Sequence, residues 1–336
     1  MKAIMRERFA GSMLSVAVAG AAVGAVIAGS ITPASAQAPA ALTTPWGEPD
    51  LQGIWTDEAD TLLQRPAKYA DQEFFTAAQR DEIDKARTAV LARDRRSERG
   101  TETDVTGAYS SVFLTVKHVG TRTSLIVDPP NGRYPPMTPE GQKRADLIAA
   151  QRNDTNLGRP HADSYEDRPL AERCILGFNS GPPMTPGAYN NNVELFQAPG
   201  YVAILNEMIH DTRIVPLDGR PHGHVPLWRG DSRGHWEGDT LVVDTINFKR
   251  ETSFPNSGAN LHLVEKFTRT DADTLMYEFT IDDPSVWTRP FTAVVPMRKS
   301  DQPIYEYACH EGNYAMASIL AGARAAEKAA EAKASK

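Results

Sequence analysis

Residues 261–282 read LHLVEKFTRTDADTLMYEFTID, and this stretch decides the fold class. Apolar and polar residues alternate along both of its halves, with the period of two that is typical of a strand with one buried face. Asp271-Ala272-Asp273 separates the halves and predicts a hairpin with a three-residue turn. This turn pairs Phe267 with Tyr277 and places both apolar rows on the same side of the ribbon.

Glu265 interrupts the apolar row of this predicted hairpin, where it lies opposite Phe279. A carboxylate on a buried face must be paired, or must be neutralised by a raised pKa. One interpretation is an acid or base inside a cavity. The other, which we prefer because structural networks also bury carboxylates, is an ion pair with an inward arginine such as Arg269.

Short apolar segments alternate with turn residues along the rest of the chain after Pro169. They predict strands joined by hairpins, at residues 193–197, 201–208, 213–217, 235–237, 240–247, 288–297 and 303–309. Strands that follow one another without intervening helices favour closure, because a closed sheet has no exposed edge. We therefore expect a mainly β, antiparallel, closed or strongly curled barrel, lipocalin-like, in a single β-rich domain over residues 51–324.

Three stretches predict helices rather than strands. Residues 74–94 are rich in Ala, Arg, Asp and Glu. Thr138-Pro139-Glu140 supplies a cap, a proline suited to the first turn and an acid near the positive end of the dipole, which predicts a helix to Asn153. These two form a helical arm over about residues 70–155 at the periphery of the barrel. An Ala-rich C-terminal helix follows and ends in a frayed tail over residues 325–336.

The first residues have the order of a secretory signal peptide. Basic residues precede an apolar run at 13–28, and Ala34-Ser35-Ala36 supplies the small-residue cleavage pattern. We expect a signal peptide over residues 1–36, a flexible linker over residues 37–50, and a periplasmic or secreted protein. The alternative is a transmembrane anchor, but the run is rich in Ala and Gly and is weakly hydrophobic for a spanning helix. No stable membrane anchor is expected.

Charge and cysteine content limit the partners of the exported part. Removal of residues 1–36 takes away three basic residues and one acidic residue, so the formal charge falls from −7 to −9. Nucleic acid is not an expected partner, because phosphate binding needs a basic surface. Cys174 and Cys309 are expected to pair in an oxidising compartment, with two free thiols as the alternative. The sequence specifies no oligomeric state.

Titratable residues concentrate at the ends of the predicted strands. A histidine with a carboxylate neighbour is held in one tautomer and exchanges protons near neutral pH. Adjacent residues on a strand point to opposite faces, so such neighbours pair directly only where the strand has ended. The catalytic candidates on this ground are His210, Asp211, Asp231, His310 and Glu311. The alternative is that they are ordinary polar residues of loops and exposed faces.

A second set of residues is suited to holding a substrate. Arg213 and Arg233 can bind an anion or a developing negative charge. Asn190-Asn191-Asn192 offers uncharged donors and acceptors to a polar binding mouth, although such side chains also satisfy the backbone of their own loop. His222 and His224 offer two metal ligands, fewer than a catalytic zinc takes, so no metal is predicted. The substrate-binding candidates are Arg213, Arg233, Asn190, Asn191, Asn192, His222, Trp236 and Glu265.

Four motifs in the exported part resemble those of a known family. Residues 186–192, 207–213, 230–240 and 305–314 read PGAYNNN, EMIHDTR, GDSRGHWEGDT and YEYACHEGNY. They resemble a large family of exported, mostly uncharacterised proteins of environmental bacteria, and the likeness runs from about Leu51 to Arg324. The resemblance implies export and one long domain, and it implies no particular activity.

Three functional hypotheses follow. The sequence has no phosphate-binding loop, no His-Glu-x-x-His and no Gly-x-Gly-x-x-Gly, so no cofactor is predicted. The leading hypothesis is a periplasmic enzyme that acts on a small organic molecule by cofactor-independent general acid–base catalysis, in a hydrolysis, elimination or isomerisation. It expects His210 and His310 to transfer protons at one mouth of the barrel. The alternative is a non-catalytic lipocalin-like protein that binds an apolar small molecule. The third is an envelope scaffold with a filled barrel.

Overall fold

The structure, a computed structural model, describes residues 42–91, 118–153, 162–251 and 254–335. Ten strands form one sheet: β1 Gly53–Thr56, β2 Ile126–Asp128, β3 Asn192–Ala198, β4 Tyr201–Asn206, β5 Asp211–Pro216, β6 Asp231–Glu237, β7 Thr240–Ile246, β8 His262–Arg269, β9 Thr274–Asp282 and β10 Phe291–Ser300. The described residues also form three α-helices: α1 Ala77–Leu91, α2 Pro139–Asn153 and α3 Tyr314–Ala334. The predicted signal peptide lies outside the described residues, as do parts of the predicted linker and of the helical arm.

The sheet is antiparallel and open. Its strands follow the order β5-β4-β3-β1-β10-β9-β8-β7-β6. The short strand β2 pairs with the beginning of β10, at Thr292 and Ala293. The prediction of a closed or strongly curled, lipocalin-like barrel is therefore wrong, since the hydrogen-bonded path ends at β5 and at β6. Hairpins specify which strands are neighbours, but they do not specify whether the first and last strands pair. Nor did they reveal that β1, from the start of the chain, lies between β3 and β10.

The hairpin of β8 and β9 has the predicted register. Phe267 pairs with Tyr277 and Glu265 pairs with Phe279. All four side chains are fully buried, so the period-two pattern identified the inward face correctly. The predicted strand at residues 303–309 is wrong, because β10 is the last strand of the described chain and this segment is mostly exposed. A segment without a buried face gains little from sheet pairing.

Large side chains fill the interior between the strands. The largest fully buried ones are Trp55, Tyr277, Phe248, Phe267, Phe279 and Phe291. The indole N–H of Trp55 donates to the Leu51 carbonyl at 2.8 Å, so its one polar atom is satisfied inside the core.

The helices begin at capped turns. Thr76 and Gln79 exchange side-chain to backbone hydrogen bonds of 2.8 and 3.2 Å ahead of α1. The Thr138 hydroxyl accepts the Gly141 N–H at 3.0 Å, as its predicted capping role requires. Helix α3 continues to Ala334, through most of the residues for which a frayed tail is predicted. Within the described ranges, no helix has both the length and the apolar character that crossing a bilayer demands.

Cys174 and Cys309 form the predicted disulfide. Their Cα atoms lie 5.7 Å apart, and 135 positions separate them in the sequence. The bond ties the segment after β10 to the segment before β3. A disulfide is compatible with an exported protein, since such bonds persist in oxidising compartments.

Candidate functional site

A buried carboxyl group follows the central strand β1. The side chain of Asp57 is only 3% exposed. Burial raises the pKa of the Asp57 carboxyl from its ordinary value of 3.8 to about 7; the Ala59 N–H, donated at 2.9 Å, opposes the shift, and nearby acidic residues add to it. Asp57 therefore exchanges its proton near neutral pH, as a general acid or base must.

One cavity beside Asp57 is basic. It has a volume of about 250 Å³, and the charged or titratable residues that line it are Asp57, Glu58, Arg80, His118, Arg122 and Arg298. Arg122 is engaged by Glu73 at 2.9 Å. The guanidinium of Arg80 has no hydrogen-bond or ion-pair partner among the described residues, and its Nε is buried. Arg298 also lines this cavity, but it is exposed and interacts electrostatically with Asp271.

A second, much smaller cavity lies on the other side of Asp57. Its volume is about 20 Å³, which is room for one water molecule, and its polar lining is Asp57, Asn179, Ser180, Thr185, Asn190, Asn191, Asn192 and Asn206. The Asn191 side chain accepts the Gly187 N–H at 2.9 Å and donates to the Gly187 carbonyl at 2.7 Å. It also donates to the Asp57 carbonyl at 3.2 Å. Asn191 thus satisfies the backbone of its own loop, and the asparagine run forms a wall beside Asp57.

A third cavity of about 370 Å³ adjoins the first two. It shares Ala59, Thr61 and Leu125 with the basic cavity and Thr185 and Pro186 with the small one. Its remaining lining consists of Leu62, Leu63, Gly187 and Ala188 together with Asp60 and Arg87, which pair with each other at 2.5 Å. The three cavities surround residues 57–61, and we take this arrangement as the candidate functional site.

The predicted catalytic histidines lie elsewhere. His210 is exposed, and its Nδ1 lies 3.2 Å from the Tyr307 carbonyl. Asp211 is buried and pairs with Arg229, so the two neighbours do not pair with each other. His310 and Glu311 are both exposed. None of these four candidates lines the cavities around residues 57–61.

Glu265 is paired with an arginine, but the arginine is not Arg269. Its carboxylate accepts two hydrogen bonds from Arg213 of β5, one of them at 2.9 Å, and one from the Tyr277 hydroxyl at 2.8 Å. Arg269 instead donates to the Asp50 carbonyl at 2.9 Å and packs over the Trp55 ring. The suggestion of Arg269 as partner is therefore wrong, because Arg213 lies 52 residues away in the sequence and only the fold brings it to Glu265.

Glu265 favours the charged form of Arg213. Burial by itself lowers the pKa of the Arg213 guanidinium, but the charge and hydrogen bonds of Glu265 outweigh it, and the pKa is raised. Burial, followed by the Glu265 charge, holds the pKa of the Tyr277 hydroxyl well above its usual range. These contacts are those of a structural ion pair, and they engage both terminal nitrogens of Arg213.

Three other predicted residues, His222, Asp231 and Arg233, lie near β6 and β7. His222 Nε2 lies 2.9 Å from one oxygen of Asp244, and His262 Nε2 lies 2.5 Å from the other. Arg233 pairs with Asp231 at 2.5 Å.

Asp231 also stabilises the loop that precedes β6, because its carboxylate accepts the Gly223 N–H at 2.6 Å. Burial by itself raises the pKa of Asp231, but the Gly223 N–H and Arg233 outweigh it and lower the pKa. Among the residues described, no three His, Cys, Asp or Glu side chains are arranged to hold a metal ion.

Residues 230–234, Gly-Asp-Ser-Arg-Gly, have the Gly-x-Ser-x-Gly spacing of a hydrolase nucleophile elbow. The structure places Ser232 inside β6, where its hydroxyl is buried and lies 2.9 Å from that of Thr245. An elbow serine stands exposed on a strand-to-helix turn, so this serine is not such a nucleophile. Trp236, on the same strand, is half-buried and packs against the core.

Of the residues at the candidate site, only Asn190, Asn191 and Asn192 are among the sequence-predicted candidates. Asp57 directly follows β1, and an acid at a strand end was the one signal available for it. Arg80, His118 and Arg298 are scattered along the chain without any characteristic spacing. They converge because the fold brings α1, the segment from residue 118 and β10 to one cavity beside Asp57.

Comparison of the chain with protein-family models finds no match. Comparison with curated proteins also finds none. The resemblance to exported bacterial proteins therefore stays a prediction, and the site has to be interpreted from its own geometry.

Proposed function

We propose that this protein is an exported enzyme that acts on a small organic molecule by cofactor-independent general acid–base catalysis, with Asp57 as the proton-transfer group. One observation carries the proposal: a carboxyl group with a pKa of about 7 lines a cavity of about 250 Å³. Perturbed titratable groups in cavities are typical of catalytic sites. The reaction is a hydrolysis, an elimination or an isomerisation.

Asp57 suits both directions of proton transfer. Near pH 7 its protonated and ionised forms coexist, so the same group accepts a proton in one step and returns it in the next. The guanidinium groups of Arg80 and Arg298 line the same cavity, where they would stabilise negative charge that develops on the substrate. Only Asp57 moves the proton in this scheme.

A binding protein without chemistry is the second candidate, and the apolar lining of the 370 Å³ cavity favours it. Such a protein would bind its ligand through Leu62, Leu63 and their neighbours and would leave the ligand unchanged. Replacement of Asp57 distinguishes the enzyme from the binding protein. Ligand binding to apolar walls does not need a titrating carboxyl, whereas the proposed proton transfer does.

The first experiment measures the pKa of Asp57 directly. A ¹³C NMR titration of its carboxyl carbon, assigned with Asp57→Asn, is expected to give a midpoint of about 7. A midpoint below about 5 would place Asp57 in the ordinary range and overturn its proposed role.

The second experiment looks for turnover. The exported chain is incubated in D₂O with small carboxylic acids, their hydroxy and unsaturated derivatives, and their esters. Proton NMR then follows ester loss, water elimination and exchange of carbon-bound hydrogen. Asp57→Asn should lower the rate about 100-fold or more, whereas Asp239→Asn, exposed in the turn between β6 and β7, should not. Equal rates in Asp57→Asn, or no turnover of any class, would refute the proposal.

A further inference from the structure

We infer that the ligand of this site is a small organic monocarboxylate, with its carboxylate held by Arg80 and Arg298 and its apolar body in the adjoining 370 Å³ cavity. This inference rests on the proposed function for its location next to Asp57. It adds the chemical class of the substrate.

Arg80 is the strongest indication of an anion. It lies in the first turn of α1, half-buried on the wall of the basic cavity. Its guanidinium has no partner among the described residues, and its Nε is buried without a hydrogen bond. A buried donor without a partner is unfavourable, and a guanidinium is the group best matched to a carboxylate. An anion in the cavity would satisfy it.

Arg298 brings a second charge to the same place. It lies on β10 directly opposite Thr56 of β1, one residue before Asp57, and it also lines the basic cavity. Arg122 is different, since it pairs with Glu73 at 2.9 Å and stacks on Phe74. Arg298 is exposed and also interacts electrostatically with Asp271, but neither it nor Arg80 has a salt bridge to a described residue, so a ligand in the cavity could engage both.

Other features of the site favour a carboxylate over a phosphate. Asp57 and Glu58 line the same cavity, and a doubly charged anion would be repelled by them more strongly than a singly charged one. In the adjoining cavity Asp60 and Arg87 pair with each other, and the rest of the wall, which includes Leu62, Leu63 and Pro186, suits a hydrocarbon body and not a bare inorganic ion. The two cavities share Ala59, Thr61 and Leu125, so one molecule can occupy both while a bond near its carboxylate faces Asp57.

Binding tests the inference independently of turnover. Isothermal titration calorimetry of the exported chain uses benzoate as the probe, with benzamide as its uncharged counterpart, acetate as the anion without a body, and inorganic phosphate. Benzoate is expected to bind at least tenfold more tightly than each of the other three. Arg80→Gln and Arg298→Gln should each weaken benzoate binding about tenfold. The matched control Arg133→Gln, exposed and outside the cavities, should leave it unchanged.

The outcomes separate this inference from the proposed function. Equal binding of benzoate and benzamide, tighter binding of phosphate, or unchanged benzoate binding in folded Arg80→Gln protein would overturn the monocarboxylate assignment. Asp57→Asn should keep benzoate binding and lose turnover. If turnover depends on Asp57 while benzoate does not bind, the inference fails and the proposed function stands. If benzoate binds through Arg80 while turnover is insensitive to Asp57, the proposed function fails and the monocarboxylate assignment stands.

Discussion

Arg213 of β5 and Glu265 of β8 form a bidentate ion pair in the core, although their strands are far apart in the order of the sheet. Glu265 is fully buried and Arg213 is 8% exposed. Tyr277 donates to the same carboxylate and accepts the Met184 N–H at 2.9 Å. The pair thus joins an edge strand, the β8–β9 hairpin and the loop before β3.

Removal of one partner of this pair should be costly. Glu265→Gln leaves the Arg213 charge buried without a counter-charge, so the free energy of unfolding should fall by about 3–5 kcal/mol. Urea denaturation measures it. The control Glu278→Gln, half-buried on neighbouring β9, should change stability by less than about 0.5 kcal/mol.

The double variant Arg213→Met/Glu265→Leu tests the effect of removing both charges of the pair together. Because it leaves no unpaired charge, it should recover most of the stability lost in Glu265→Gln. A cost below about 1 kcal/mol for Glu265→Gln would show that the buried geometry is not maintained in solution.

Asp57 should make the protein less stable as the pH rises. The unfolded chain releases this proton near pH 3.8 and the folded chain near pH 7, so the folded state binds more protons between these values. Stability from this group is therefore fully present below about pH 4 and is lost as the pH rises through 7, by up to about 4 kcal/mol.

The variant Asp57→Asn tests whether ionisation of Asp57 lowers the stability of the folded protein. The variant should match the wild type at pH 4 and exceed it in stability at pH 9, as measured by urea denaturation at both values. Asp239→Asn, with an exposed carboxyl, serves as the control. A variant that is less stable than the wild type at pH 9 would contradict the raised pKa.

The disulfide should contribute strongly to stability. It closes a loop of 135 positions, and the chain-entropy model gives about 5 kcal/mol for a loop of this length. Cys174→Ser/Cys309→Ser should lose about this amount in denaturant unfolding, and the wild type with reductant should match the double variant. Double-variant stability within about 1 kcal/mol of the oxidised wild type would rule out this contribution.

Gly234 should not tolerate a side chain. A Cβ at this position of β6 would lie 2.6 Å from Leu217 Cδ2 and 2.9 Å from Val215 Cγ1. Val215 is fully buried and stiff, so Gly234→Ala should lower the free energy of unfolding by about 1–3 kcal/mol.

Two further variants check this explanation. Gly223→Ala, where the new Cβ meets only Asp231 at 3.6 Å, should be close to neutral. Gly234→Ala combined with Val215→Ala should be less destabilised than the sum of the two single changes, because the second makes room for the first. Strict additivity would exclude the contact as the cause.

Local patterns predicted the parts of the structure that depend on neighbours in sequence. The alternation around Asp271-Ala272-Asp273 gave the register of β8 with β9 and the inward position of Glu265. Two cysteines in an expected oxidising environment gave the disulfide. The partner of Glu265 was not predictable, because Arg213 reaches it only through the arrangement of the strands.

Alternation and turn residues dictated the hairpins of this chain, because side chains on a strand change face at every residue and a turn fixes which residues pair. The openness of the sheet, the position of β1 between β3 and β10, and the burial of Asp57 were decided by contacts between distant segments. Such contacts are set by packing and desolvation, which no short stretch of sequence contains. The candidate site belongs to this second kind: Asp57 titrates near pH 7 only because the folded chain removes it from water.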